Sequence, residues 1–278
     1  RGYFEDLKFA LELAKAEAGD EMVGIVLEPD FLGYLAQNNQ DPLTLTARTD
    51  AAYAAGALVQ GTDPAFPNTV RGLVEAINTT IKKHLPNAWF GWQFNLWASP
   101  AGGWTTPIGV KGLMRVTDDR GVTQGRADIA REASAISDYY IKAGVLTHGA
   151  NFVSVDKYGL DGGAEGKNTN PADSTWFWNG VHWTNYLEFV KSMTTRTGLP
   201  VVLWQIPVGR INSTLEQNPY AADGRFPDLR NVSRSYEDSA PSYFFGDQFT
   251  ASGTRLSYFS QTDPATRTSV SGSTVSWP

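Results

Sequence analysis

The sequence predicts an α/β protein whose parallel strands form a TIM-like (β/α) barrel in a distorted or incomplete version. The first observation is length, since 278 residues are long for an ordinary domain but normal for one barrel. The second is the order helix–strand, which repeats four times and indicates right-handed parallel crossovers. The third is that no strand is followed by a glycine-rich phosphate loop, which favours a barrel over an open sheet.

Four stretches have the apolar spacing of amphipathic helices. In residues 3–18, Phe4, Leu7 and Leu11 recur at intervals of three and four, and Gly19 fits a C-terminal cap. The other predicted helices cover residues 68–84, 125–143 and 181–197.

The predicted strands are short apolar runs that suit a sheet covered on both faces. They begin at residues 22, 88, 151, 201 and 241 and read MVGIVLEPD, AWFGWQFNLWAS, NFVSVDKYGLDGG, VVLWQIPVG and PSYFFGDQF. These are fewer than the eight strands of a barrel. Either some strands are disguised, or part of the barrel lies outside this chain.

The C-terminal residues differ in composition from the rest. From Gly246 onwards the chain is rich in Ser and Thr, and SVSGSTVSW alternates as a short antiparallel strand does. We therefore expect a catalytic α/β barrel over residues 1–250 and a β appendage, or the start of a linker, over residues 251–278. A linker would lead to a carbohydrate-binding module outside this chain.

Composition excludes several classes of function. The 23 Lys and Arg against 29 Asp and Glu give a net charge of −6 without a basic cluster, so nucleic acid is not expected as a partner. The lack of cysteine removes disulfides and thiolate metal sites, and the three histidines are far apart, so we expect no metal and no cofactor. No apolar run is long enough to span a membrane.

Candidate functional residues cluster at the ends of the predicted strands, where parallel α/β folds bind ligands. They are carboxylates, amides and aromatic side chains. In strand order they are Glu28 and Asp30; Trp92, Gln93, Asn95 and Trp97; Asp156, Lys157, Tyr158 and Asp161; Trp204 and Gln205; and Asp247 and Gln248.

This mixture of side chains is typical of proteins that act on sugars. Pyranose faces stack on aromatic rings, hydroxyls bond to carboxylates and amides, and glycosidic cleavage uses two carboxyl groups. Seven of the nine tryptophans fall in two groups, one around the second predicted strand and one in the segment after Asp156. Those predicted to bind substrate outside the strand ends are Trp104, Trp176 and Trp178.

Each candidate also has a purely structural interpretation. Asp30 suits the N-cap of the helix that starts at Phe31. Glu28 can pair with a basic residue, and Trp89, Trp183 and Trp204 can belong to the core.

The segment LEPDFLGYLAQN resembles glycoside hydrolase family 6, the cellobiohydrolases and endoglucanases that act on cellulose. The matching residues are Glu28, Pro29, Asp30, Leu32 and Asn38, and the preceding helix is also similar, over about the first forty residues. The resemblance implies a distorted parallel barrel and an inverting mechanism. Where the family has an Asp-Ala-Gly-His pattern this chain reads GWQFNLW, and the nearest counterpart of the late base is Asp247. The Glu-Pro pair is also similar to that of retaining barrel hydrolases, which would make Glu28 the acid/base.

The sequence therefore predicts an extracellular hydrolase of β-linked polysaccharide, cellulose or a related β-glucan. Its catalytic carboxylates would be Glu28, Asp30, Asp156 and, in reserve, Asp247. Two alternatives stay open, namely a non-catalytic carbohydrate-binding barrel and a metal-assisted lyase or aldolase.

Overall fold

The computed structural model describes residues 1–28, 30–99, 112–157, 178–204, 206, 239–246 and 248–277. The chain divides into two compact units. The first unit contains Arg1–Gly103, Glu132–Val155 and Ser192–Val202, and the second contains Trp104–Arg131, Asp156–Lys191 and Leu203–Pro278.

Through the first four strands the long helices and strands follow the order that the sequence predicts, with two further short helices between the first and second strands. The helices are α1 Gly2–Ala18, α2 Phe31–Gln37, α3 Asp50–Ala54, α4 Val70–His84, α5 Val116–Lys142, α6 Gly180–Thr197, α7 Ala240–Phe245 and α8 Gly253–Phe259, with a short 3-10 turn at Leu113–Arg115. The strands are β1 Gly24–Leu27, β2 Trp89–Phe94, β3 Phe152–Asp156, β4 Val201–Trp204, β5 Phe249–Thr250, β6 Ser269–Ser271 and β7 Thr274–Ser276.

The main sheet has four strands in the order β1-β2-β3-β4, which confirms the first four predicted strands and their parallel sheet. Gly24 of β1 pairs with Trp89 of β2, and Gly91 of β2 pairs with Phe152 of β3, both in parallel register. Within the described residues this sheet is open and does not close into a barrel. No helix among them is long and apolar enough to cross a membrane.

The two faces of β2 have different environments. Phe90, Trp92 and Phe94 face the helices: Lys82 of α4 lies 5.4 Å from the Phe90 ring centre, and Trp92 donates to Asn78 of α4 at 2.8 Å. Phe94 stacks on Tyr140 of α5 at 4.1 Å. The alternation of a strand places Trp89, Gly91 and Gln93 on the opposite face.

Helix α4 shows how the sequence positions this sheet. Thr69 caps its N-terminus by accepting a hydrogen bond from the Gly72 backbone at 3.2 Å. Val74, Ile77 and Ile81 form its buried stripe, and Pro86 lies just beyond its end. A helix with one apolar face can pack on the sheet and keep its charged residues in water.

The predicted fifth strand at residues 241–249 is wrong over most of its length. Ala240–Phe245 form α7, and only Phe249 belongs to a strand. Pro241 lies in the first turn, where its missing N–H costs nothing, and Gly246 ends the helix in the left-handed conformation with φ 73°. These two local signals prevail over the apolar run between them.

The C-terminal residues form a three-stranded antiparallel sheet in the order β5-β7-β6. The predicted alternating segment is a hairpin whose turn contains Gly272 with φ 60°. Val275 and Trp277 are buried, and the Trp277 ring lies 5.2 Å from Phe249 and 5.9 Å from Phe259. These aromatic contacts give the short sheet its own apolar core.

Candidate functional site

The carboxyl end of β1 carries the two carboxylates of the EPD segment. Glu28 follows the last residue of β1 and has φ 47°, a left-handed conformation that is uncommon for a residue with a side chain. Tyr3 of α1 is 44% exposed, and partial burial of its hydroxyl, with the hydrogen bond and charge of Glu28, raises the pKa of Tyr3. A carboxylate held at a strained backbone position beside a neutral phenol is a candidate for chemistry.

Asp30 occupies the N-cap position of α2, as the structural interpretation expects, but its side chain makes no capping hydrogen bond. Its Oδ1 instead accepts a hydrogen bond from Asn95 Nδ2 at 3.3 Å. Asn95 is 1% exposed, and its own Oδ1 accepts a hydrogen bond from Tyr140 at 2.8 Å. The chain of hydrogen bonds fixes the Asn95 amide and aims it at Asp30.

An aromatic pair lies beside this amide. The rings of Tyr34 and Trp97 are 4.9 Å apart at 47°, with Trp97 half-buried and Tyr34 57% exposed. Gly33 makes the close approach possible, because a Cβ there would lie 2.6 Å from Asn95 Oδ1 and 2.8 Å from Trp97 Cη2. We call Glu28, Asp30, Tyr34, Asn95 and Trp97 the strand-end cluster.

The strand-end cluster contains no cationic partner for its carboxylates. Neither Glu28 nor Asp30 forms an ion pair with any residue that the structure describes. The structural interpretation of Glu28 as half of a salt bridge therefore finds no support in the described part of the chain.

Glu132 is a carboxylate that sequence reasoning missed. It is 1% exposed on α5 and accepts a hydrogen bond from Ser99, which is 2% exposed and lies two residues after Trp97. The available signal was its position on the buried face of α5, three residues after Ile129 and four before Ile136. A carboxylate on an apolar helix face needs a polar partner.

Gln93 and Trp92 are adjacent in β2 but lie on opposite faces. Both are 0% exposed. Trp92 is in the core against α4, a position that leaves its ring no surface for a sugar. Gln93 lies on the other face, and Ser154 of β3 pairs with it in register. Ser154 is also 0% exposed, and its Oγ has no hydrogen-bond partner among the residues that the structure describes.

The second unit holds the remaining predicted residues that can be placed. Trp178 is 2% exposed and packs edge-to-face on Trp183 at 4.7 Å. Lys157 Nζ lies 5.4 Å from the Trp178 ring centre and 5.6 Å from that of Trp183. Asp156 and Trp204 are the last residues of β3 and β4. Trp104, Tyr158, Asp161, Trp176, Gln205 and Asp247 lie outside the described residues, while Gln248 is exposed.

A buried ion-pair network also lies in the second unit. Arg115 donates to Asp118 Oδ2 at 3.0 and 3.1 Å, and His182 Nε2 lies 2.7 Å from Asp118 Oδ1. Partial burial acts to raise the pKa of Asp118, but the hydrogen bond and charge of His182 and the charge of Arg115 lower it to about 2. No group of metal-ligating side chains occurs among the described residues.

Comparisons with known proteins add nothing to this geometry. No protein-family model, no curated protein and no solved structure matches the chain. The candidate site therefore depends on the side chains described above.

Proposed function

We propose that the protein is a secreted glycoside hydrolase that cleaves a β-linked polysaccharide, cellulose or a related β-glucan. The observation that carries the proposal is the strand-end cluster. It joins two carboxylates without an ion pair in the described chain, a fixed amide and an aromatic pair at the carboxyl ends of two parallel strands. Secretion follows from the substrate, because a polymer of this kind lies outside the cell.

The chemistry of the cluster suits a glycan. The rings of Tyr34 and Trp97 offer an apolar surface on which a pyranose face can stack. Asp30 and Asn95 can bond to the hydroxyls at the ring edge. Glycans need both kinds of contact, whereas a phosphorylated ligand would need cations that the cluster lacks.

Cleavage requires a protonated and an ionised carboxyl group on either side of the bond. Glu28 and Asp30 would form one side, and Asp156 at the end of β3 would be the opposing carboxylate, with Asp247 in reserve. One of them would act as the acid, and another as base or nucleophile. The resemblance to family 6 favours inversion, and the Glu-Pro pair gives Glu28 the acid role in the retaining alternative.

We also infer that the four-stranded sheet belongs to a (β/α) barrel. Strand order follows chain order, and both α4 and α5 contact the same face of β2. Repeated right-handed crossovers in one direction keep all helices on one face, as a barrel requires. The opposite face then becomes the interior, which fits the complete burial of Gln93 and Ser154.

The test is hydrolysis of a glycan panel by the purified chain and two isosteric variants. Reducing ends are measured on soluble and insoluble β-glucans, xylan and chitin. We expect Glu28→Gln and Asp156→Asn each to lower turnover by about a hundredfold or more, because each removes a reacting carboxyl group. Their thermal midpoints should stay close to that of the wild type.

Glu17→Gln and Asp20→Asn are matched controls, because both residues are exposed on or just after α1. Normal turnover in both Glu28→Gln and Asp156→Asn would reject the assigned roles. Retention on a glycan without any product would favour the non-catalytic binding protein. Activity that EDTA abolishes and a divalent cation restores would favour the metal-assisted alternative.

A further inference from the structure

A long connection joins α2 to α4 and builds a second concave surface. Residues 38–69 contain only the short helix α3. Connections longer than about 12–15 residues without much secondary structure are uncommon in compact domains, and those that are ordered are usually functional. This one lies within the first unit and contains none of the residues of the strand-end cluster.

Internal hydrogen bonds hold the connection in one shape. Asp63 accepts a hydrogen bond from the Val59 backbone at 2.5 Å and forms an ion pair with Lys83 of α4. Tyr53 donates its hydroxyl to the Pro64 carbonyl. These contacts reduce the conformational entropy that the connection would lose when a ligand binds, so the surface is preorganised.

The connection encloses an open cavity of about 670 Å³, a size usual for small-molecule sites. Its lining includes the rings of Tyr53 and Phe66, the carboxylates of Asp50 and Asp63, and the amides of Gln60 and Asn68. Its walls thus combine aromatic and polar groups.

The charges of the cavity are already compensated. Arg48 donates to Asp50 at 3.2 and 3.3 Å, and Lys83 pairs with Asp63. No Lys, Arg or His is among the described residues that line the cavity, so an anion would find no cationic partner in them. A cationic ligand would have to displace an existing ion pair. The chemistry is therefore that of a neutral ligand.

The amides supply the remaining hydrogen-bonding capacity. Gln60 is exposed, and its side chain forms no hydrogen bond with the described part of the chain. Asn68 Oδ1 accepts a hydrogen bond from the Asp50 backbone N–H at 3.1 Å, and this contact fixes the orientation of the Asn68 amino group. Donors and acceptors beside two aromatic rings match a polyhydroxylated molecule with an apolar face.

We propose that this cavity is a non-catalytic binding site for a neutral oligosaccharide, separate from the strand-end cluster. Phe66 and Tyr53 provide the stacking surface, and Gln60 and Asn68 bond to the sugar hydroxyls. The site binds a chain without cleaving it, since both of its carboxylates are held by cations. This inference concerns binding alone and does not depend on hydrolysis at the strand ends.

The test is affinity electrophoresis and calorimetry of the full chain with cellohexaose, xylohexaose and maltohexaose as separate probes. We expect Gln60→Ala, and more strongly Gln60→Ala with Phe66→Ala, to weaken binding of one probe by about tenfold or more. Gln60→Ala alone keeps the test valid if the double variant folds poorly, because it removes an exposed side chain. Gln40→Ala is the matched control, an exposed glutamine of the same connection outside the cavity lining.

Several outcomes would overturn the inference. They are a wild-type chain that binds none of the probes, unchanged binding in Gln60→Ala, and an equal loss in Gln40→Ala. Binding that persists in Gln60→Ala but disappears in Trp97→Ala would assign the affinity to the strand-end cluster instead. Binding that depends on Gln60 in a chain without hydrolytic activity would support this site while rejecting the proposed hydrolase.

Discussion

Carboxylates in two regions of the molecule have opposite surroundings. In the second unit, Asp118, Asp128 and Asp263 each face at least one arginine, and the side chains of Asp128 and Asp263 are at most 2% exposed. In the strand-end cluster of the first unit, Glu28 and Asp30 form no ion pair with described residues and face a phenol and an amide.

The difference separates carboxylates that stabilise the fold from those available for chemistry. A buried carboxylate paired with arginine is committed to that ion pair, because removal of either partner would leave an unpaired buried charge. A carboxylate that faces neutral donors is not committed in this way and can meet a ligand. Position at a strand end suggested Glu28 and Asp30 from the sequence, and the character of their neighbours now gives a physical reason for that choice.

The largest expected effect on stability is at Asp118. Its pKa of about 2 lies below the unfolded value of about 3.9, so its ionised form stabilises the fold above pH 4. This contribution, roughly 2 kcal/mol, is lost as the pH falls from about 4 to about 2. Asp118→Asn should therefore lower the free energy of unfolding at neutral pH, and its difference from the wild type should shrink over that interval. Urea unfolding at a series of pH values measures both effects.

Asp138→Asn is the control, because Asp138 pairs with Arg196 on the surface with both side chains about half exposed. That variant should lose much less stability than Asp118→Asn, because exposed ion pairs contribute little. Two results would contradict the assigned difference between buried and exposed pairs. One is a larger loss of unfolding free energy in Asp138→Asn than in Asp118→Asn. The other is a stability difference between Asp118→Asn and the wild type that does not change with pH.

Much of the first unit could be predicted from local patterns. Apolar runs such as GIVL and WFGWQF are strands, and α1 and α4 follow their helical periodicity. Residues 241–245 were mispredicted as a strand because their apolar run was weighed above Pro241 and Gly246, which mark a helix start and end. The N-terminal end of α5 was also mispredicted. The helix was expected to start at residue 125, but it starts at Val116 and is interrupted by Gly121 with φ 73°.

The site was only partly predictable for a different reason. Strand-end residues can be found because a parallel sheet brings its carboxyl ends together. Tyr3 and Glu132 come from helices, and their approach depends on packing that no spacing reveals. A helix that precedes a strand runs back along it, so the start of α1 lies near the end of β1, and this rule could have suggested Tyr3 as a neighbour of Glu28.

Gly33→Ala should reduce both the stability of the strand-end cluster and its binding of glycans by an intermediate amount. The new methyl group would lie 2.6 Å from Asn95 Oδ1 and 2.8 Å from Trp97 Cη2, so both side chains must move. We expect a cost of about 1–3 kcal/mol and a larger relative loss of glycan binding than of stability. Thermal unfolding and calorimetry with cellohexaose check the two parts. Gly2→Ala, where the methyl group meets no atom within 4 Å, is the control.

The smallest expected change in the free energy of unfolding is at Ser154, and the sign of that change is informative. Its buried hydroxyl has no hydrogen-bond partner in the described part of the chain, so removal of the oxygen relieves a desolvation penalty. Ser154→Ala should leave the free energy of unfolding unchanged or raise it by up to about 1 kcal/mol. Ser99→Ala, which removes a donor to the buried Glu132, should instead lower it by about 1–3 kcal/mol. Urea unfolding of both variants gives the comparison, and a marked loss at Ser154 would mean that its hydroxyl has a bonding partner that stabilises the sheet.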